Sequence, residues 1–154
     1  MYLQQDYNQL LPWLTAIKNI ELPLKSFMSN DKEIRQKAEQ LIKLVDLEEH
    51  SNKYPYKLSG GQKQRVAFAR ALILNPDLIL MDEPFAALDI STREALQKST
   101  KEIVTKMQNT VLFVTHNINE SLYMADKMLV LGKEGNYFID NPKSTSKEEL
   151  KKLL

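Results

Sequence analysis

Two acids in a row, Asp82 and Glu83, close a short apolar run, "LILM" (Leu78 to Met81). A carboxylate pair at the end of a buried strand suits phosphoryl chemistry: one acid holds Mg²⁺, the other orients or deprotonates an attacking water. His116 follows a second apolar run, "TVLFV" (Thr110 to Val114), and an imidazole there can hydrogen-bond a phosphate. "LSGGQKQR" (Leu58 to Arg65) adds a third feature. Ser59, Gly60 and Gly61 open a helix whose first amides and dipole favour an anion, and a Cβ at the glycines would obstruct close approach of backbone to phosphate. Each feature also has a structural reading. Acids cap helices and fill turns, a lone histidine after a strand often only packs, and Ser-Gly-Gly makes an ordinary turn and cap. Gln5 alone carries no signal.

The elements that must position these residues are legible in outline. Residues 10–57 read as helical and polar, with Ile34, Ala38, Leu41, Ile42 and Val45 at helical spacing and Asn30 or Asp31 able to cap. Pro55 breaks that pattern. A helix then starts at Ser59, where Ser59 and Gln62 have capping-box spacing, and it ends near Asn75–Pro76. "LILM", "TVLFV" and "KMLVL" (Lys127 to Leu131) read as three buried strands, with a crossover helix over residues 91–106. Apolar strands joined by helices predict a parallel sheet covered on both faces, with reactive residues just past the carboxyl ends of its strands. Asp82, Glu83 and His116 fall there. After Gly132 the chain turns polar, and residues 146–154 resemble a capped amphipathic helix, with Ser146 and Glu149 at capping-box spacing.

Composition bounds the reading. A chain of 154 residues suits one domain with a real core better than two. Its 21 Lys and Arg against 20 Asp and Glu leave a net charge of +1, which gives no sign of a nucleic-acid groove. There are no cysteines, so disulfides and thiolate metal sites are excluded. No apolar run is long enough to cross a bilayer, and "MYLQQDYNQ" lacks the order of a signal peptide. A soluble, intracellular protein is expected.

Taken in order, these motifs resemble the ATP-binding subunit of ABC transporters. "LSGGQKQRVAFARAL" looks like that family's signature motif, Leu78 to Glu83 like its Walker B, Ala87-Leu88-Asp89 like its D-loop and His116 like its switch histidine. "YLQQDYNQLLPWLTAIKNI" is similar to its Q-loop, with Gln5 at the glutamine that contacts Mg²⁺ and water. "LLPWLT" (Leu10 to Thr15), which also reads as a turn at Pro12 with Trp13 packed on helices, looks like the nitrate, sulfonate and taurine type of importer. The resemblance implies an α/β fold: a partial P-loop NTPase domain, mostly parallel sheet flanked by helices, with a helical subdomain. Its parts would be a Q-loop over residues 1–9, the helical subdomain over 10–57, the catalytic core over 58–145 and a C-terminal helix over 146–154.

The resemblance also implies roles and partners. Glu83, His116 and Gln5 would be catalytic; Ser59, Gly60, Gly61, Gln62 and Asp89 would bind nucleotide; Asp82 and Gln5 would hold the metal. ATP and Mg²⁺ would be the cofactors. The partners would be a second ABC ATPase subunit, the transmembrane permease and, indirectly, an extracytoplasmic solute-binding protein, at the cytoplasmic face of the membrane. A repair or chromosome ATPase of the same superfamily would need long coiled coils between Gln5 and Ser59, where the interval is short. The family's G-x-x-x-x-G-K-[ST] loop precedes the Q-loop, and the four glycines here, at 60, 61, 132 and 135, do not supply it. The chain is therefore expected to be N-terminally truncated, inactive alone and left with uncovered apolar sheet edge and helix faces. The alternative is a non-catalytic subunit that donates its signature motif to an intact partner.

Overall fold

The computed structural model describes residues 2–3, 10–86 and 88–153, the first pair as backbone only. It divides into two compact units, residues 1–112 and 113–154, where length alone suggested one domain.

The first unit is built on three helices, α1 (Ala16–Lys25), α2 (Asp31–Leu44) and α3 (Gly60–Leu72), which pack on one another. Their apolar faces supply the core: Ala16, Ile17, Ile20, Ile34, Ala38, Val66, Ala69 and Leu72 are almost wholly buried. Asn30 caps α2, its side chain accepting from the Glu33 amide. At the other end Asp46 takes a left-handed φ of 54°, with Asp46 N–H bonded to Lys43 O and Leu47 N–H to Ile42 O. That is the Schellman pattern, with aspartate at the position glycine usually fills.

A strand pair lies beside α3. β1 (Tyr2–Leu3) runs parallel to β2 (Leu78–Asp82), Tyr2 opposite Leu80 and Leu3 opposite Met81. The sheet order is β1-β2-β3, where β3 (Thr110–Val114) runs from the first unit into the second. α4 (Ile90–Met107) links β2 to β3 as the crossover helix, close to the span its sequence predicts. α3 ends at Leu72, with a turn through Asn75 at φ 46° before Pro76.

Two expectations about the sheet fail. β2 buries Ile79 and Met81, but Leu112 and Val114 of β3 are 57% and 54% exposed, so that strand is not covered on both faces. "KMLVL" does not join the parallel sheet either. It forms β4 (Met128–Gly132), which pairs antiparallel with β5 (Gly135–Ile139). The reason is local: Gly132 and Gly135 flank the two-residue loop Lys133-Glu134, and Gly135 has φ 148°, so the chain doubles back at once. The polar stretch after Gly132 therefore contains a strand.

The second unit also holds α5 (Ile118–Met124) and α6 (Lys147–Leu153), both packed within that unit. Ser146 and Glu149 form the capping box read from their spacing, with Glu149 N–H bonded to Ser146 Oγ and Ser146 N–H to Glu149 Oε2. No helix among the described residues is long and apolar enough to cross a membrane.

Candidate functional site

The start of α3 is fixed by reciprocal hydrogen bonds. Ser59 Oγ accepts from the Gln62 amide at 3.3 Å, and Gln62 Oε1 accepts from the Ser59 amide at 3.0 Å. This leaves the Ser59 hydroxyl proton free to be donated outward, since only the oxygen is used by the cap. Gln62 is different: its carbonyl end is turned back onto the backbone, so only its NH₂ is available. Gly60 and Gly61 are the first two helical residues, so no carbonyl one turn earlier accepts from their amides. Ser59 and Gly60 are exposed.

The two glycines do different things. A Cβ on Gly60 would make an ordinary 3.7 Å contact with Leu88, whereas one on Gly61 would lie 2.6 Å from Thr92 Cγ2. Gly61 is buried against the start of α4. Its missing side chain therefore sets how closely two helices approach, a requirement that phosphate-binding arguments from sequence do not contain.

α4 begins at Asp89, which is its cap. Asp89 Oδ1 accepts from the Thr92 amide at 3.0 Å and from the Ser91 hydroxyl at 2.8 Å. Hydrogen bonds from the Thr92 amide first, then from the Ser91 and Thr92 hydroxyls, hold its carboxyl at about 2, against an ordinary 3.8. Just before it, Arg93 Nη2 donates to Leu88 O at 2.8 Å and its Nε to Phe85 O at 3.3 Å, stapling the turn that follows β2. The two helix starts and the C-terminal turn of α2 border a cleft of about 380 Å³, lined by Leu47, Ser59, Gln62, Arg65, Ser91 and Thr92 among others. Arg65 reaches from α3 to the C-terminal turn of α2, donating to Val45 O at 3.1 Å and to Asp46 Oδ2 at 3.4 Å.

Asp82 is the last residue of β2 and Glu83 the first beyond it, both half-buried. Glu83 has φ 43°, a left-handed backbone that non-glycine residues adopt at a cost of order 1–3 kcal/mol. The strained turn continues with Ala86 N–H bonded to Glu83 O. Such outliers concentrate at functional positions, and this one falls on the residue whose carboxylate the sequence singles out.

His116 belongs to the second unit and is exposed. Its flanks are tightly bonded: Thr115 Oγ1 donates to Glu120 Oε2 at 2.7 Å and accepts from the Asn117 amide at 3.0 Å, while Asn117 Oδ1 caps α5. Gln5 and Ala87 lie outside the described residues. Arg65, Arg93 and Glu120 are not visible in the sequence as contributors, because their partners are backbone carbonyls or side chains with no spacing rule of their own.

The described residues contain no cluster of three or more His, Cys, Asp or Glu able to hold a metal ion by themselves. Asp82 offers one carboxylate, which fits an ion such as Mg²⁺ that takes most of its ligands from phosphate and water. The open hydroxyl of Ser59 and the leading amides of α3 fit an anion.

Comparison with known proteins follows the same lines. Residues 1–86 match the family described as "ABC transporter". An uncharacterized ABC transporter ATP-binding protein of Methanocaldococcus jannaschii is 48% identical over 130 residues, which cover 82% of this chain and 47% of that protein. The taurine import ATP-binding protein of Rhizobium johnstonii is 45% identical over 124 residues, 80% of this chain and 47% of that protein. The chain thus spans about half the length of these relatives. Among solved structures, a dimeric ATP-binding cassette in a post-hydrolysis state with ADP and Pi superposes with a TM-score of 0.70 at 37% identity, covering 90% of this chain and 58% of that one.

Proposed function

The chain belongs to the ABC transporter family, and on that premise we propose that it is the ATP-hydrolysing subunit of an importer of the nitrate, sulfonate and taurine type. The observation that carries the reading is an open, capped helix start at Ser59 together with an acid pair at the end of β2 whose second member, Glu83, is strained. One presents donors to an anion. The other presents carboxylates to a cation and a water.

In this reading the Ser59 hydroxyl and the Gly60 and Gly61 amides bind the terminal phosphate of a nucleotide held mainly by a second subunit. The dimeric cassette with ADP and Pi supports a two-subunit site. Gln62 holds Ser59 in place through the capping box and turns its NH₂ outward. Asp82 and Gln5 would hold Mg²⁺, which would neutralise charge developing on the phosphates. Glu83 orients the attacking water and takes its proton. His116 hydrogen-bonds a terminal phosphate, and the Thr115–Asn117–Glu120 bonds keep its turn in one shape. Asp89 keeps Ser91 and Thr92 fixed beside the signature helix.

The permease would be met by the helical elements of residues 10–57, and the taurine import relative supports a small solute as cargo. A full-length protein carrying this chain, mixed with ATP under non-hydrolysing conditions, should form a dimer by light scattering. Ser59→Phe should bind ATP and stay monomeric. Undiminished ATP-dependent dimerisation of that variant would contradict a role for Ser59 between subunits.

A further inference from the structure

Asn19 is fully buried in the body of α1, among Ile17, Ile20 and Ala16. A carboxamide in such a place is tolerated only when its donors and acceptor are all used. Here they are. Its Oδ1 accepts from the Leu11 amide at 2.8 Å, and its Nδ2 donates to Leu11 O at 3.2 Å, Leu14 O at 3.0 Å and Thr15 O at 3.1 Å. Two protons are shared among three carbonyls, so every bond runs to the backbone of one five-residue loop.

That loop contains a turn closed by Leu14 N–H on Leu11 O at 3.1 Å, with Pro12 at the second position where its fixed φ is favoured. Trp13 stands third in the turn and is 68% exposed. The loop is further tied at its far end, where Ala16 N–H bonds to Lys53 O and Ile17 N–H to Ser51 O. A large aromatic is therefore held in solvent by a backbone with little freedom left.

We propose that Asn19 is a positioning residue that locks the Leu11–Thr15 loop and so fixes the direction in which Trp13 is presented. A side chain presented on a pre-ordered loop meets its partner without the cost of ordering that loop on contact. The bearing of this lock on transport rests on the importer reading, in which the segment after Gln5 leads from the nucleotide site to the permease-facing helices. The lock makes the Leu11–Thr15 part of that segment rigid.

Trp13 is the chain's one tryptophan, so its emission reports this loop alone. In the unmodified chain the Leu11 amide should exchange with solvent about as slowly as the Ile20 amide in the body of α1. Asn19→Asp keeps the size and the Oδ1 acceptor but removes both donors. It should speed Leu11 exchange at least about tenfold, equivalent to about 1.4 kcal/mol, and enlarge the fast local component of the Trp13 anisotropy decay. Leu11 exchanging at the rate of a free loop in the unmodified chain would overturn the lock. So would an Asn19→Asp variant that melts earlier while Leu11 protection and Trp13 anisotropy stay unchanged, because Asn19 would then serve the core only. In the full-length protein assembled with its permease, Asn19→Asp should lower permease-stimulated hydrolysis and leave basal hydrolysis intact. Unchanged stimulation beside a released loop would leave the lock standing and overturn its link to transport.

Discussion

Gly61 of α3 lies so close to Thr92 of α4 that a single added methyl group would come within 2.6 Å of Thr92 Cγ2. Helix α3 begins at the Ser59 cap and helix α4 at the Asp89 cap, so this contact sets the spacing between two helix N-termini that share one cleft. Gly61→Ala should therefore destabilise the first unit by about 1–3 kcal/mol through overpacking. Thr92→Ser removes the offending methyl and keeps the hydroxyl, so the double variant should recover most of the loss. Denaturant midpoints of the two single variants and the double variant give the answer, and simple additivity would mean the helices are free to move apart.

The Asp89 cap predicts a specific acid sensitivity. Its folded carboxyl titrates near 2 and its ordinary value is 3.8, so its stabilising contribution is complete above 3.8 and disappears as pH falls toward 2. Asp89→Asn retains an acceptor for the Thr92 amide but has no carboxylate to protonate. Thermal midpoints of parent and variant should diverge least at the acid end of that window, with the parent losing more on the way down.

Arg93 joins the start of α4 to the turn after β2 through two backbone carbonyls, Phe85 O and Leu88 O. Lysine cannot span both with one planar group. Arg93→Lys should cost about 1.5–3 kcal/mol, the range for hydrogen bonds to charged groups. Proteolytic nicking near residues 85–88, compared between parent and variant, should rise with it.

Glu83 offers a test in which stability and activity part company. Its φ of 43° suits glycine and strains a residue with a Cβ. Glu83→Gly should unfold at an equal or higher denaturant concentration than the parent, by about 1 kcal/mol, while losing hydrolysis in the full-length protein. A marked loss of stability would show that the Glu83 side chain holds the turn together.

What could be read from the sequence was whatever depends on neighbours along the chain. The Ser59–Gln62 and Ser146–Glu149 boxes, the Asn30 cap and the acid pair ending an apolar run all follow from fixed short spacings, and each has its expected backbone setting. β5 escaped because "GNYFI" is half polar and its pairing depends on the tight turn between Gly132 and Gly135. "KMLVL" misled because an apolar strand reads the same in a parallel sheet and in a hairpin. The packing of Gly61 against Thr92 leaves no signal in the Ser-Gly-Gly spacing, and a buried amide that binds backbone, as Asn19 does, has no motif. Contacts between distant segments leave little trace in spacing.

In the proposed function Glu83 acts on water while other groups hold the nucleotide. In a full-length protein carrying this chain, Glu83→Gln should lower the rate of MgATP hydrolysis by about 10²–10⁴-fold, the usual contribution of a general base. Equilibrium MgATP affinity, measured by calorimetry on the same preparation, should stay within about threefold of the parent, since a group that acts only in the transition state adds little to ground-state binding. Loss of affinity in step with loss of hydrolysis, or hydrolysis that survives the substitution, would contradict the account.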